Sequence, residues 1–374
     1  MSTGVSRGDR AQPTSKGASR SPCQGVSLEV PGAEPSVGHQ VLAVHPWRPA
    51  GSGGMVSSPD PDGVDQNDVQ SSAGLLSALF DDIEQRAVAG EHPTPLHSNR
   101  ILTYLADVDA LTQGLQRGSL VVLAGCTGMG KTTLALNLAR NISLYSQVPV
   151  LYGAYDSPPE ALLLRLLASM CDVESGRLSA ARLSQGEWPR LGEAMAQLSA
   201  APLFWIGSPP AGLQAIRQRC LELQAQTCGA PGVLILDQLH LLPELQPGQS
   251  SGLAPLLQEL RNLAAELNVC LILLAQTPPA PELRDDHRPL LNDLPDVEAM
   301  QAYAHVIALL HREEFWDPET TTRGEAELIF CKNVDNPVGM VRLWFEPQFS
   351  RFSMPQPMSP ELPVAFGKNT AAAA

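Results

Sequence analysis

The residues whose types and spacing can do chemistry are densest in the run GCTGMGKTT, made of Gly125, Cys126, Thr127, Gly128, Met129, Gly130, Lys131, Thr132 and Thr133. Glycines at the first and sixth positions let a turn wrap closely round an anion. The lysine that follows reaches the terminal phosphates of a polyphosphate, and the Thr132 hydroxyl can ligate Mg²⁺. The turn follows the apolar run LVVLA and precedes the periodic TLALNLAR, so it joins a buried strand over 120–124 to a helix over 131–144. Several backbone N–H groups and the positive end of a helix dipole then converge on one point, which is a phosphate site. The expectation is binding of a nucleoside triphosphate with Mg²⁺.

Three more polar residues close apolar runs. Asp237 ends GVLILD, at the carboxyl end of a strand, where open α/β sheets bind their ligands; opposite Thr132 it can hold the water shell of Mg²⁺. Asp156 follows the run LYGAY and is open to two readings: a carboxylate that orients or deprotonates an attacking water, or a cap for the helix beginning near Pro158. Gln276 ends VCLILLAQ and is either a sensor of the γ-phosphate tied to a moving loop or a polar residue leaving a sheet.

The elements that must position these residues follow from periodicity. Over residues 101–352 short apolar runs alternate with helical patterns, which defines an α/β fold: a mostly parallel sheet with helices on both faces. Strands are expected at 120–124, 148–154, 202–206, 233–237, 269–275, 304–310, 326–332 and 340–345, and helices at 131–144, 159–168, 185–198, 213–226 and 255–267. Residues 1–72 are rich in Gly, Pro, Ser and Asp without a sustained period and are expected to be disordered. Residues 73–98 read as a linker: a helix over 75–88 with Leu75, Leu76, Leu79, Phe80 and Ile83 on one face, then a proline-containing loop. That face docks either on its own domain or on a neighbouring subunit. The main domain spans 99–353, and 354–374 is a loose tail.

The chain has 374 residues, 44% of them hydrophobic, enough for a sizeable core. No apolar run is of membrane-spanning length and the opening residues are not of signal-peptide type, so a cytoplasmic protein with no membrane partner is expected. The seven cysteines have neither C-x-x-C spacing nor paired histidines, which argues against zinc and against a disulfide framework. With 39 acidic against 25 basic residues and a net charge of −14, the chain is no natural non-specific binder of nucleic acid, although a local basic channel in a ring can still serve.

The blocks DVDALTQGLQRGSLVVLAGCTGMGKTTLALNLA, VLYGAYDSPPEALLLRLLAS, GVLILDQLHLL, LRNLAAELNVCLILLAQ and AELIFCKNVDNPVGMVRLWFEPQFSRF, in that order over 107–352, resemble the RecA-fold motor domain of DnaB-type replicative helicases. The resemblance implies an ATP-driven, ring-forming 5′-to-3′ helicase on single-stranded DNA, a homo-hexamer held through the linker helix and meeting other replication proteins. It implies ATP and Mg²⁺ at Lys131 and Thr132, Asp237 as the Walker B acid and Gln276 as the γ-phosphate sensor. It sets Asp156 where the family has its catalytic glutamate, and it tips the linker helix towards the adjacent subunit. Lys332 matches the lysine of the family's K-x-R-x-x-P-x-G segment, which serves the neighbour's ATP, but Val334 stands at the arginine position.

Other departures concern the DNA side and the N-terminus. The family's globular N-terminal domain has no counterpart in the sequence. Residues 241–258 hold no Lys or Arg, and 277–301 offer Arg284 and Arg288, the candidate DNA-binding residues, against Glu282, Asp285, Asp286, Asp293, Asp296 and Glu298. The leading expectation is therefore a DnaB-like helicase. The alternative is a degenerate paralogue that binds ATP as an assembly or regulatory subunit. A RecA- or KaiC-like ATPase without unwinding activity comes third.

Overall fold

The computed structural model describes residues 99–206, 212–227, 231–245, 252–277, 284 and 286–355. The expectations for 1–72, for the linker 73–98 and for nearly all of the tail lie outside the described residues. Strand β3 (Leu120–Gly125) lies inside a nine-stranded sheet of order β11-β10-β9-β8-β3-β7-β6-β4-β5. The other members are β4 (Val150–Ala154), β5 (Leu203–Ile206), β6 (Val233–Asp237), β7 (Cys270–Gln276), β8 (Val306–His311), β9 (Glu325–Asn333), β10 (Gly339–Glu346) and β11 (Arg351–Ser353). Pairing is parallel from β5 through β8, and β9, β10 and β11 extend the sheet antiparallel. A short pair, β1 (Arg100–Ile101) with β2 (Leu115–Gln116), brackets helix α1 (Ala106–Thr112).

The alternation along β3 explains why the sheet is covered twice. Val121 and Leu123 face one core, where Leu134, Leu138 and Ile142 of α2 (Lys131–Tyr145) pack with Leu162 and Leu166 of α3 (Pro159–Cys171). Leu120, Val122 and Ala124 face the other, closed by Ile216 and Cys220 of α6 (Leu213–Thr227) and by Leu256, Leu260 and Leu263 of α7 (Leu253–Glu266). Successive strand side chains point to opposite faces, so one buried strand anchors both layers. Each fully buried leucine contributes roughly 1.5–3 kcal/mol. Packing of this kind, rather than capping, holds α2: its N-cap is Gly130, and no side chain caps it.

The expected elements are present with ends shifted by a few residues, and several short ones were not anticipated. These include β1, β2, α1, α4 (Ser175–Ser179), the seven-residue α8 (Val297–Tyr303) and β11. None is long enough to repeat a hydrophobic period, so pattern alone does not expose it. The remaining helix, α5 (Glu187–Ala200), lies against α3.

Candidate functional site

Four strands carry the site because they are neighbours. β3 and β7 pair in register Gly125 with Gln276, and β6 and β4 pair Asp237 with Ala154, so the phosphate loop, Gln276, Asp237 and the segment holding Asp156 emerge at the same edge of the sheet. At that edge opens a cleft of about 320 Å³, lined by Thr127, Gly128, Gly130, Lys131, Thr132 and Thr133 on one side; Asp237 is not among its described lining residues and lies behind Thr132 and next to Gln238. Gln238 and Gln276 also line it, as do Arg165, Arg312, Phe345 and Pro347.

The loop's glycines are required by its shape. A Cβ on Gly125 lies 2.7 Å from the Leu310 carbonyl oxygen. At Gly128 the backbone is left-handed, with φ +83, and a Cβ there meets the Phe315 ring at 2.7 Å. Lys131, only 5% exposed, folds back over the loop and donates to the carbonyls of Gly125 at 2.8 Å and Cys126 at 2.9 Å. Burial lowers its ammonium to a pKa of about 8, partly offset by the charge of Asp237. An anion in the loop offers this buried cation the charged acceptor that the carbonyls replace only in part.

Asp237 is 4% exposed. The Tyr152 hydroxyl donates to its Oδ2 at 2.9 Å, and the Thr132 side chain lies near enough to lower its pKa. Its Oδ1 is buried without a partner. Burial raises its pKa first of all and the charge of Asp156 adds to that, while the nearby Thr132 side chain, the bond from Tyr152 and the charge of Lys131 act in the opposite direction. A buried carboxylate oxygen with no donor beside a threonine hydroxyl is a fitting donor set for a hard cation such as Mg²⁺.

Asp156 is exposed, in the turn after β4, and near enough to Asp237 for their charges to interact. It does not cap α3: the N-cap is Pro158, and no side-chain cap bond is formed. Gln276 is exposed at the mouth of the cleft, beside the loop.

Lys332 stands apart from these. A register shift between β8 and β9 at Ile307 and Ala308 re-aims it, and its Nζ donates to the carbonyls of Gln301 at 2.5 Å and Ala304 at 2.6 Å, at the end of α8. Burial and the charge of Arg261 lower its pKa. Val334, 42% exposed, begins the turn after β9. Arg284 and Arg288 are both engaged: Arg284 grips Asp293 through two bonds, at 2.9 and 2.5 Å, and Arg288 grips Glu327 at 2.9 and 2.7 Å.

Sequence reasoning missed Tyr152, Arg165 and Arg312. Arg312 donates to the Gly128 carbonyl at 3.3 Å and lies 4.1 Å over the Phe345 ring. Arg165 had a signal, a single charge inside the apolar stretch ALLLRLLAS of α3. Tyr152 had none, because a tyrosine in a buried strand reads as core.

Fold and site together define a phosphate-loop nucleotide-binding protein of the RecA-like α/β class. The description "DnaB-like helicase C terminal domain" matches residues 101–354, and the chain belongs to that family of ATPase domains. Among its curated relatives, the replicative DNA helicase DnaB of Pasteurella multocida is 32% identical over 291 residues, 76% of this chain and 61% of the relative. The replicative DNA helicase DnaC of Bacillus subtilis is 27% identical over 76% of this chain and 62% of its own. This chain thus spans about three-fifths of these relatives' length. Among solved structures, an ATPase domain determined on its own is similar with a TM-score of 0.69 at 24% identity, covering 77% of this chain and 100% of that one. A DnaB-like replicative helicase, solved in a study of its interactions with primase, is similar with a TM-score of 0.67 at 24% identity, covering 77% of this chain and 68% of its own. At that identity both bear on the fold.

Proposed function

We propose that the chain binds ATP with Mg²⁺ in this cleft, hydrolyses it, and couples turnover to translocation on single-stranded DNA and unwinding of duplex during replication. The observation that carries the reading is that Lys131, Thr132 and Gln276 line one cleft, with the buried Asp237 next to Thr132 and Lys131 at the end of β6. Lys131 and the backbone of residues 125–133 hold the phosphates. Thr132 and the unpartnered Oδ1 of Asp237 hold the cation, which supplies charge neutralisation on the transferring phosphoryl group. Asp156, exposed and close to Asp237, is the residue to orient the attacking water. Family membership supports assembly into a homo-oligomeric ring, with cytoplasmic replication proteins as partners.

A second reading, an ATP-binding assembly or regulatory subunit with weak hydrolysis, is favoured by three observations. Val334 occupies the arginine position, Lys332 is bound to its own subunit's α8 carbonyls, and both loop arginines are ion-paired. The test is ATP-dependent displacement of a strand from a forked duplex, with the protein's mass in ATP followed by light scattering. Displacement by a ring-sized species is the expected result. A ring that binds ATP and leaves the fork intact supports the second reading.

A further inference from the structure

We propose that the β10–β11 end of the sheet carries a docking groove for an extended apolar run of the same chain, residues 361–368, which follows the last described strand. β10 pairs Trp344 with Glu325 of β9 and with Ser353 of β11, and it pairs Glu346 with Arg351. Side chains alternate along a strand, so these residues and Arg342 share one face, opposite the buried Leu343, Phe345 and Phe352. On that face opens a groove of about 900 Å³, which Asp172 reaches from the end of α3. Phe345 and Pro347 line the nucleotide cleft instead, so the proposal stands apart from the ATP reading.

Three features fit this groove to its own chain. Its apolar floor is open: Trp344 is 41% exposed, with its indole against Gly324, where a Cβ would meet the ring at 2.9 Å, and Met340 on the same face is 45% exposed. Its charges are unevenly used, because Arg351 is bound to Asp172 and Glu346, while Arg342 and Glu325 make no ion pair among the described residues. The chain also leaves through the groove. β11 pairs only with residues 344–346 of the eight-residue β10, and Met354 and Pro355, which come next, are themselves part of the lining. Proline has no N–H to give a ladder, so Pro355 stops β11 from running on along β10. The sequence beyond it contains ELPVAFGK, with Leu362, Val364 and Phe366 at every second position, on one side of an extended segment. That side covers Trp344 and Met340. Glu361 before the run and Lys368 after it carry the charges opposite to those of Arg342 and Glu325.

The test is chymotryptic cleavage after Phe366 in the full chain, timed by mass spectrometry. A docked Phe366 is shielded, and cleavage follows the undocked fraction, so Trp344→Ala is expected to speed it about tenfold or more. Arg342→Glu and Glu361→Arg are each expected to speed it about two- to fivefold, and the double variant, in which the charges are exchanged, to return it towards the wild-type rate. Equal rates in wild type and Trp344→Ala overturn the inference and leave the groove to a different occupant. Single charge variants that speed cleavage without recovery in the double variant overturn the placement of Glu361 beside Arg342, and with it the docked register. Protection that is lost on dilution at constant protease means that the run comes from a second copy, which overturns docking within one chain. Where Trp344→Ala does not fold, the charge exchange, which leaves the indole in place, carries the same comparison.

Discussion

Lys131 is a buried ammonium whose charge is needed for phosphate, so its titration should be visible in nucleotide binding. Burial lowers its pKa from 10.5 to about 8. Below that value the lysine is charged and affinity for ATP should be flat with pH. Above it each unit deprotonates the free protein a further tenfold, so at about pH 9.5 affinity should be down roughly 30-fold, ~2 kcal/mol. Folding stability runs the other way. The unfolded chain holds this proton up to 10.5 while the folded one releases it near 8, so stability relative to Lys131→Met rises with pH across that window. The full shift corresponds to about 3 kcal/mol. The assay is calorimetric titration of a non-hydrolysable ATP analogue between about pH 7 and 9.5, with denaturant unfolding of wild type and Lys131→Met over the wider range. An affinity that stays level to the top of the range, or a stability difference that does not narrow, would refute the claim that the loop buries a charge awaiting an anion.

Three further perturbations address the surrounding residues. Gly128→Ala forces a side chain into a left-handed backbone and against Phe315; a cost of about 1–2 kcal/mol in the loop is expected, read as weaker nucleotide binding with most of the thermal stability kept, and unchanged affinity counts against the loop geometry. Tyr152→Phe removes the donor to Asp237 Oδ2, a bond to a charged group worth about 1.5–3 kcal/mol. It should weaken the Mg²⁺ dependence of ATP binding and move the acid limb of turnover to higher pH, and an unmoved limb would separate Asp237 from the reaction. Arg288→Ala should leave the salt slope of single-stranded DNA binding as it is, because the guanidinium already serves Glu327; a slope reduced by about one would mark it as a phosphate contact instead.

The phosphate loop was legible because its chemistry demands glycine, lysine and threonine at fixed spacing. Asp237 and Gln276 were legible as places, because each ends an apolar run and parallel strands deliver their ends to one edge. Which strands would be neighbours was not readable from periodicity, and it is the order β3-β7-β6-β4 that puts Gly125 beside Gln276 and Asp237 beside β4. The alternative reading of Asp156 as a cap fails because proline already occupies the N-cap of α3. Charge counting set Arg284 and Arg288 against six acidic residues, Asp293 among them, without saying which would pair; Asp293 takes Arg284, while Glu327, which takes Arg288, arrives from β9, a partner that only the folded sheet supplies. Lys332 lies in a strand as its apolar run led one to expect, but the β8–β9 register shift that turns it towards α8 has no sequence signature.

Every role proposed for these residues depends on turnover of ATP at the cleft between β3, β6 and β7. Steady-state MgATP hydrolysis by the purified protein and by Lys131→Ala, each with and without single-stranded DNA, tests it most directly. Turnover in the wild type, stimulation by DNA, and loss of both in Lys131→Ala are expected. Equal rates in the two proteins would contradict it.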